Sequence, residues 1–143
     1  MASTFTLFNS FAGKVGDGTI DLDTHTFKVA LTNSAPVATN TVLANITQIS
    51  AGNGYTTGGV TLTGVAWTEP SAGTWRFDSN DFSFTASGGT MATFRYIVIY
   101  SDTAASDDLV GYYDHGTAVS LPDGSSYSFT VAADGHFEIT KTP

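Results

Sequence analysis

The sequence has 143 residues and no cysteine, and 13 acidic against 5 basic side chains give it a formal charge of −8. That length suits a single domain, and the missing thiols exclude disulfides, thiolate metal sites and cysteine nucleophiles. With Lys14, Lys28, Arg76, Arg95 and Lys141 scattered along so acidic a chain, no nucleic acid and no membrane is expected as a partner, because anionic surfaces would be repelled.

The N-terminal stretch MASTFTLFNSFAGKV has neither a basic region nor a continuous apolar run, so a secretory signal is not expected. Phe5, Leu7, Phe8 and Phe11 nevertheless crowd a segment that would otherwise fray. Either they pack across their own domain or they dock on a neighbouring subunit. Phe8 to Val15 has room for a short helix capped by Asn9 or Ser10, weakened by Gly13 and Gly16. In Thr26 to Thr32, Phe27, Val29 and Leu31 alternate with Thr26, Lys28, Ala30 and Thr32, the period of a strand. Leu43 to Ile49 fits neither helix nor strand cleanly. Val60, Leu62, Val65 and Trp67 resume the alternation with a one-place shift at Gly64, read as a β-bulge.

Further strands are expected at Trp75 to Asp78, Asp81 to Ala86, Thr93 to Ser101, Leu109 to Asp114, Tyr127 to Val131 and His136 to Thr140. Phe94 to Tyr100 is the most continuously apolar, which marks a central strand buried on both faces. The longest strongly apolar run, Tyr96 to Tyr100, is far shorter than the ~20 residues that cross a bilayer, so a soluble protein made in the cytoplasm is expected. Asp17-Gly18, Asn53-Gly54, Gly58-Gly59, Gly88-Gly89, Asp123-Gly124 and Asp134-Gly135 punctuate the strands. Of these, Asp134-Gly135 reads as the clearest hairpin, between Tyr127 to Val131 and Phe137 to Ile139. Pro36, Pro70, Pro122 and Pro143 fall outside the expected strand interiors. The signals add up to an all-β fold: one antiparallel β-sandwich over residues 1–143, jelly-roll-like, with roughly eight or nine strands and at most one or two short helical turns.

Chemistry-bearing residues are few. His25, His115 and His136 lack metal-ligand spacing, and His25 and His136 alternate with apolar neighbours so as to point outward. Asp114-His115 has no G-x-S-x-G elbow to partner it, and Glu69 and Glu138 are the only glutamates. Asp17, Asp21 and Asp23 form one acidic group and Asp102, Asp107 and Asp108 another; either offers oxygen ligands for calcium, but neither matches the D-x-D-x-D-G loop. Asn45-Ile46-Thr47 fits a glycosylation acceptor only in a secreted chain. No catalytic, cofactor-binding or metal residue is therefore expected, and the protein reads as no enzyme. Tyr55, Trp67, Trp75, Tyr112, Tyr113 and Tyr127 are the aromatics able to line a sugar-binding or protein-binding face. Tyr112 and Tyr113 are adjacent, so on a strand one of them points outward.

Several stretches resemble a known family. FNSF at Phe8 to Phe11, GTIDLDTHTFKVALTNSAP from Gly18, ANITQISAGNGYTTGGVTL from Ala44 and RYIVIYSDTAASDDLVGYYDHG from Arg95 are similar to small virion proteins of tailed bacteriophages. The resemblance spans nearly the whole chain. It implies a structural role on the particle, as a head decoration or cement protein on the outer surface of the capsid. The implied partners are the major capsid protein and further copies of the chain, as a dimer or trimer. Phe5, Leu7, Phe8, Phe11, Tyr112 and Tyr113 are the candidate interface residues. The alternative is a tail, baseplate or head-appendage module that adheres to host-surface glycans.

Overall fold

The computed structural model describes residues 4–143. Alternation in the sequence becomes ten strands and one short helix among those residues: β1 (Phe5–Leu7), α1 (Phe11–Gly16), β2 (Phe27–Thr32), β3 (Val60–Thr61), β4 (Ala66–Ser71), β5 (Thr74–Asp78), β6 (Phe82–Thr85), β7 (Met91–Ser101), β8 (Leu109–Leu121), β9 (Ser126–Phe129) and β10 (Phe137–Thr140). A single 3₁₀ turn, Leu43–Asn45, stands where the sequence was ambiguous. All pairing between strands is antiparallel, in sheets ordered β1-β8-β7-β2-β3, β10-β5-β4 and β6-β9.

The two small sheets together cover one face of the large one, giving a sandwich. Phe27 of β2 meets Phe77 of β5 edge-on, with ring centroids 4.9 Å apart, and Phe94 of β7 meets Tyr127 of β9 at 5.3 Å. Phe27, Val29, Leu31, Ile97 and Ile99 line this main core and are fully buried. The opposite face of the large sheet carries Ala30, Val98, Tyr100 and Leu109, and Phe8 and Ile46 close over them as a second core. At ~1.5–3 kcal/mol for each fully buried large apolar side chain, these two layers dominate the stability. β7 is the middle strand and is buried on both faces, which is why Tyr96 to Tyr100 has no polar alternation.

Two irregularities in β8 have consequences. Ile99 pairs with Gly111 but Tyr100 pairs with Leu109, so Val110 is an extra residue. The bulge turns Leu109 into the second core and Val110 into the first. Further along, Tyr96 pairs with Asp114 and Phe94 with Val119, so His115 to Ala118 stand opposite Arg95 alone and swing into solvent. Arg95 clamps the base of this excursion through Asp114, Nε to Oδ1 at 2.8 Å and Nη2 to Oδ2 at 3.0 Å.

Five expectations are corrected. Val60 to Trp67 is not one bulged strand: β3 belongs to the large sheet and β4 to a small one, and Gly64, at φ +61, is in the crossing between them. Pro70 does lie inside a strand, β4, but at the edge of its sheet and where pairing with β5 is interrupted between Thr68 and Ser71. Asp134-Gly135 closes no hairpin, because β9 pairs with β6 and β10 with β5. Finally, β8 runs on past Asp114 to Leu121, and α1 starts at Phe11 rather than Phe8.

Candidate functional site

β1 adds to the free edge of β8, Phe5 opposite Tyr113, Thr6 opposite Tyr112 and Leu7 opposite Gly111. Gly111 is required there by contact, since a Cβ would sit 2.5 Å from the Phe5 ring. Phe5 stacks on Phe137 at 5.8 Å and tilts against Tyr113 at 4.8 Å. Phe8 packs on Tyr112 in the second core and Phe11 is edge-on to Phe137 in the first. Of the candidate interface residues, Phe8, Phe11 and Tyr113 are thus buried within their own domain and offer almost no surface to a partner. Tyr112 is half-buried between Phe8 and Tyr96, and Leu7, at 38% exposure, is the one that faces solvent openly.

His136 corrects the expectation that it points outward: it is buried. The cause is Gly135, whose φ of +76 carries the chain so close to β5 that a Cβ would lie 2.5 Å from the Phe77 carbonyl oxygen. The His136 amide then donates to that carbonyl at 2.8 Å, and its ring falls between Phe5, Phe77 and Tyr113. Ser79 Oγ donates to the Asn80 carbonyl at 3.0 Å, so it accepts from His136 Nε2 at 2.8 Å. Nδ1 is left to accept from the Tyr113 hydroxyl at 2.7 Å. This pattern assigns the neutral Nε2–H tautomer. Burial pushes the imidazole down to about 4, against a weaker pull from Asp78, and pushes the Tyr113 phenol up. Proton flow here runs opposite to a nucleophile and base pair, in which the imidazole takes the serine's proton. The network joins β5, β8 and the start of β10.

The remaining polar candidates are held locally. His25 Nδ1 lies 2.8 Å from Ser101 Oγ, and His115 sits on the exposed excursion of β8. Asp17 accepts from the Thr19 amide, and Asp21 Oδ1 accepts from the amides of Asp23 and Thr24. Hydrogen bonding from the Thr19 and Thr24 side chains, and then from these amides, holds both carboxyls below their usual range. Asp108 is buried with its Oδ1 3.1 Å from Lys14 Nζ, while burial and Asp102 push Asp107 up. Among the described residues no three His, Asp or Glu side chains converge to hold a metal ion.

Among the described residues, the exposed apolar side chains of neighbouring strands come together on the small sheet. Trp75 and Phe77 share the inner face of β5, Phe137 and Ile139 that of β10, and Trp67 stands opposite Phe77 on β4. Phe77 is sealed by the large sheet, but Trp75 is 39% and Ile139 46% exposed, because this end of the small sheet runs past its cover. Trp67 stacks on Trp75 at 5.6 Å and 28°. On the outer face of the same strands, Arg76 and Glu138 form an ion pair at 2.8 Å. Beside Trp67 a groove of about 370 Å³ opens between Val15 of α1 and the 18–23 loop, with Ile20 and Leu22 in its wall and Asp21 and Asp23 on it. Trp67 and Trp75 were candidates from sequence; Ile139 was missed, since its alternation in FEIT is that of any half-buried strand. A wider recess of about 770 Å³ follows β9 between Tyr127 and Ala133, walled by His115. No family model, no curated protein and no solved structure matches the chain.

Proposed function

We propose that this chain is a non-enzymatic structural protein of a tailed-bacteriophage particle, a decoration or cement protein on the outer surface of the head. The observation that carries the binding role is the overhanging end of β4, β5 and β10, where Trp75 and Ile139 stand in water on a face that is otherwise core. Large exposed aromatic and aliphatic side chains on rigid strands are the usual anchors of protein contacts. The assignment to a phage head rests on the resemblance of the segments from Phe8, Gly18, Ala44 and Arg95.

The mechanism is geometric. Each copy docks on the major capsid protein through a modest interface, and many copies tie neighbouring subunits together, so internal DNA pressure has to break several contacts at once. The open edge of β1, with Leu7 exposed on it, is the surface for contact between copies in a dimer or trimer. Particles that lack the chain are expected to release DNA at a lower temperature than complete ones, with restoration on adding the purified protein. Equal heat resistance with and without it overturns the cementing role. The exposed Trp75 ring also favours a second reading, adhesion to surface glycans. It requires saturable binding on a glycan panel that falls with Trp75→Ala.

A further inference from the structure

We propose that the groove beside Trp67, continued by the exposed faces of Trp75 and Ile139, receives an extended segment of a partner protein that carries an apolar anchor flanked by Lys or Arg side chains. This inference rests on the binding role argued above and names the chemistry of the partner's segment.

The groove of about 370 Å³ between Val15, Leu22 and Trp67 has room for one or two side chains and not for a folded domain. The overhang beyond it is an exposed apolar strip, with Trp75 stacked on Trp67 and Ile139 opposite Trp75 in the adjoining strand. An extended segment laid along the strip places alternate side chains in the groove and on the Trp75 ring.

Asp21 and Asp23 line the groove and Asp17 precedes it in the same turn, and none of the three is in an ion pair among the described residues. Hydrogen bonds from Thr19 to Asp17, and from Thr24 and Asp23 to Asp21, lower both carboxyls. Lys14, the cation that acts on Asp17, is paired with Asp108. An apolar slot with a fixed anionic wall selects an apolar residue with a cation next to it.

The same charges argue against a second copy as occupant. Of the five Lys and Arg residues, Lys14, Arg76 and Arg95 pair with Asp108, Glu138 and Asp114, which leaves Lys28 and Lys141 to serve a chain of charge −8. Two such copies repel at this face.

The test uses the whole ¹⁵N-labelled chain, whose two tryptophans supply two indole N–H signals from stacked rings, Trp67 on the groove and Trp75 on the strip. The probe is acetyl-Lys-Leu-Lys-Leu-Lys-amide, compared with the Glu-Leu-Glu-Leu-Glu and Lys-Ser-Lys-Ser-Lys counterparts. Expected are saturable shifts of both indoles and of the 18–23 amides with the first peptide, about tenfold weaker binding of the other two, and weakening as salt rises from about 0.05 M to about 0.5 M. Asp21→Asn/Asp23→Asn keeps the Asp21 side-chain oxygen that caps the turn and is expected to lose about tenfold in affinity. Trp75→Ala is the second variant and weakens binding independently of charge. Indoles that do not move, that move equally with the acidic peptide, or that move with protein concentration alone overturn the proposal, the last in favour of a second copy. Indole shifts with soluble oligosaccharide but not with peptide overturn it in favour of glycans. If the peptide binds but particles lacking the chain hold their DNA on heating, the head-bridging role fails and the docking site stands. Early DNA release with an unresponsive groove is the reverse result.

Discussion

Between pH ~6.5 and ~4, acid removes stability from this protein mainly through His136. His136 is 5% exposed, and its two ring nitrogens are satisfied by Ser79 and Tyr113 in the neutral form. An ordinary histidine titrates near 6.5, whereas burial holds His136 at about 4. The unfolded chain therefore takes up a proton that the folded chain refuses. Stability from the neutral ring is complete above pH ~6.5 and is lost as pH falls towards ~4, by about 3 kcal/mol at ~1.4 kcal/mol per pH unit. The hydrogen-bonded aspartates Asp17, Asp21 and Asp114 act at lower pH, since their folded-state values lie below 3.8. Urea unfolding at several pH values between ~7.5 and ~4 reads the slope, and His136→Gln supplies the comparison. The variant is expected to be weaker at neutral pH, by roughly 1–3 kcal/mol for the disturbed network, and nearly flat across the window. Parallel curves for the two proteins refute the reasoning.

Three further outcomes follow from contacts. Gly135→Ala puts a Cβ 2.5 Å from the Phe77 carbonyl at φ +76, and is expected to cost upwards of ~2 kcal/mol, read as a lower urea midpoint. Gly13→Ala meets nothing within 4 Å and, inside α1, is expected to stabilise by ~0.5–1 kcal/mol on the same assay. Lys14→Met strips the buried Asp108 of its cation; a loss of roughly 3–5 kcal/mol at neutral pH is expected, largely recovered when Asp108→Asn is added. No recovery in the double variant contradicts the ion-pair account.

The strands were legible because each buries one face or both, and burial writes itself into local alternation. Phe27, Val29 and Leu31 announce β2, and the unbroken Tyr96 to Tyr100 announces the middle of the large sheet. Assignment of strands to sheets was not legible. β9 and β10 sit on either side of a good turn sequence, yet each finds its partner far away, in β6 and β5. His136 was misplaced for the same reason, since its burial depends on Gly135 crossing Phe77 of a strand some sixty residues earlier. The docking face was half legible: Trp67 and Trp75 stood out as residue types, but nothing local distinguishes an alternating strand end that overhangs from one that is covered.

The most direct measurement is a high-resolution electron-microscopy map of intact particles. The account predicts density for this chain on the outer surface of the head, with Trp75 and Ile139 covered by a capsid subunit that brings a basic residue against Asp21 or Asp23. Density confined to the tail, or a head-bound copy whose Trp75 and Ile139 face open solvent, contradicts it.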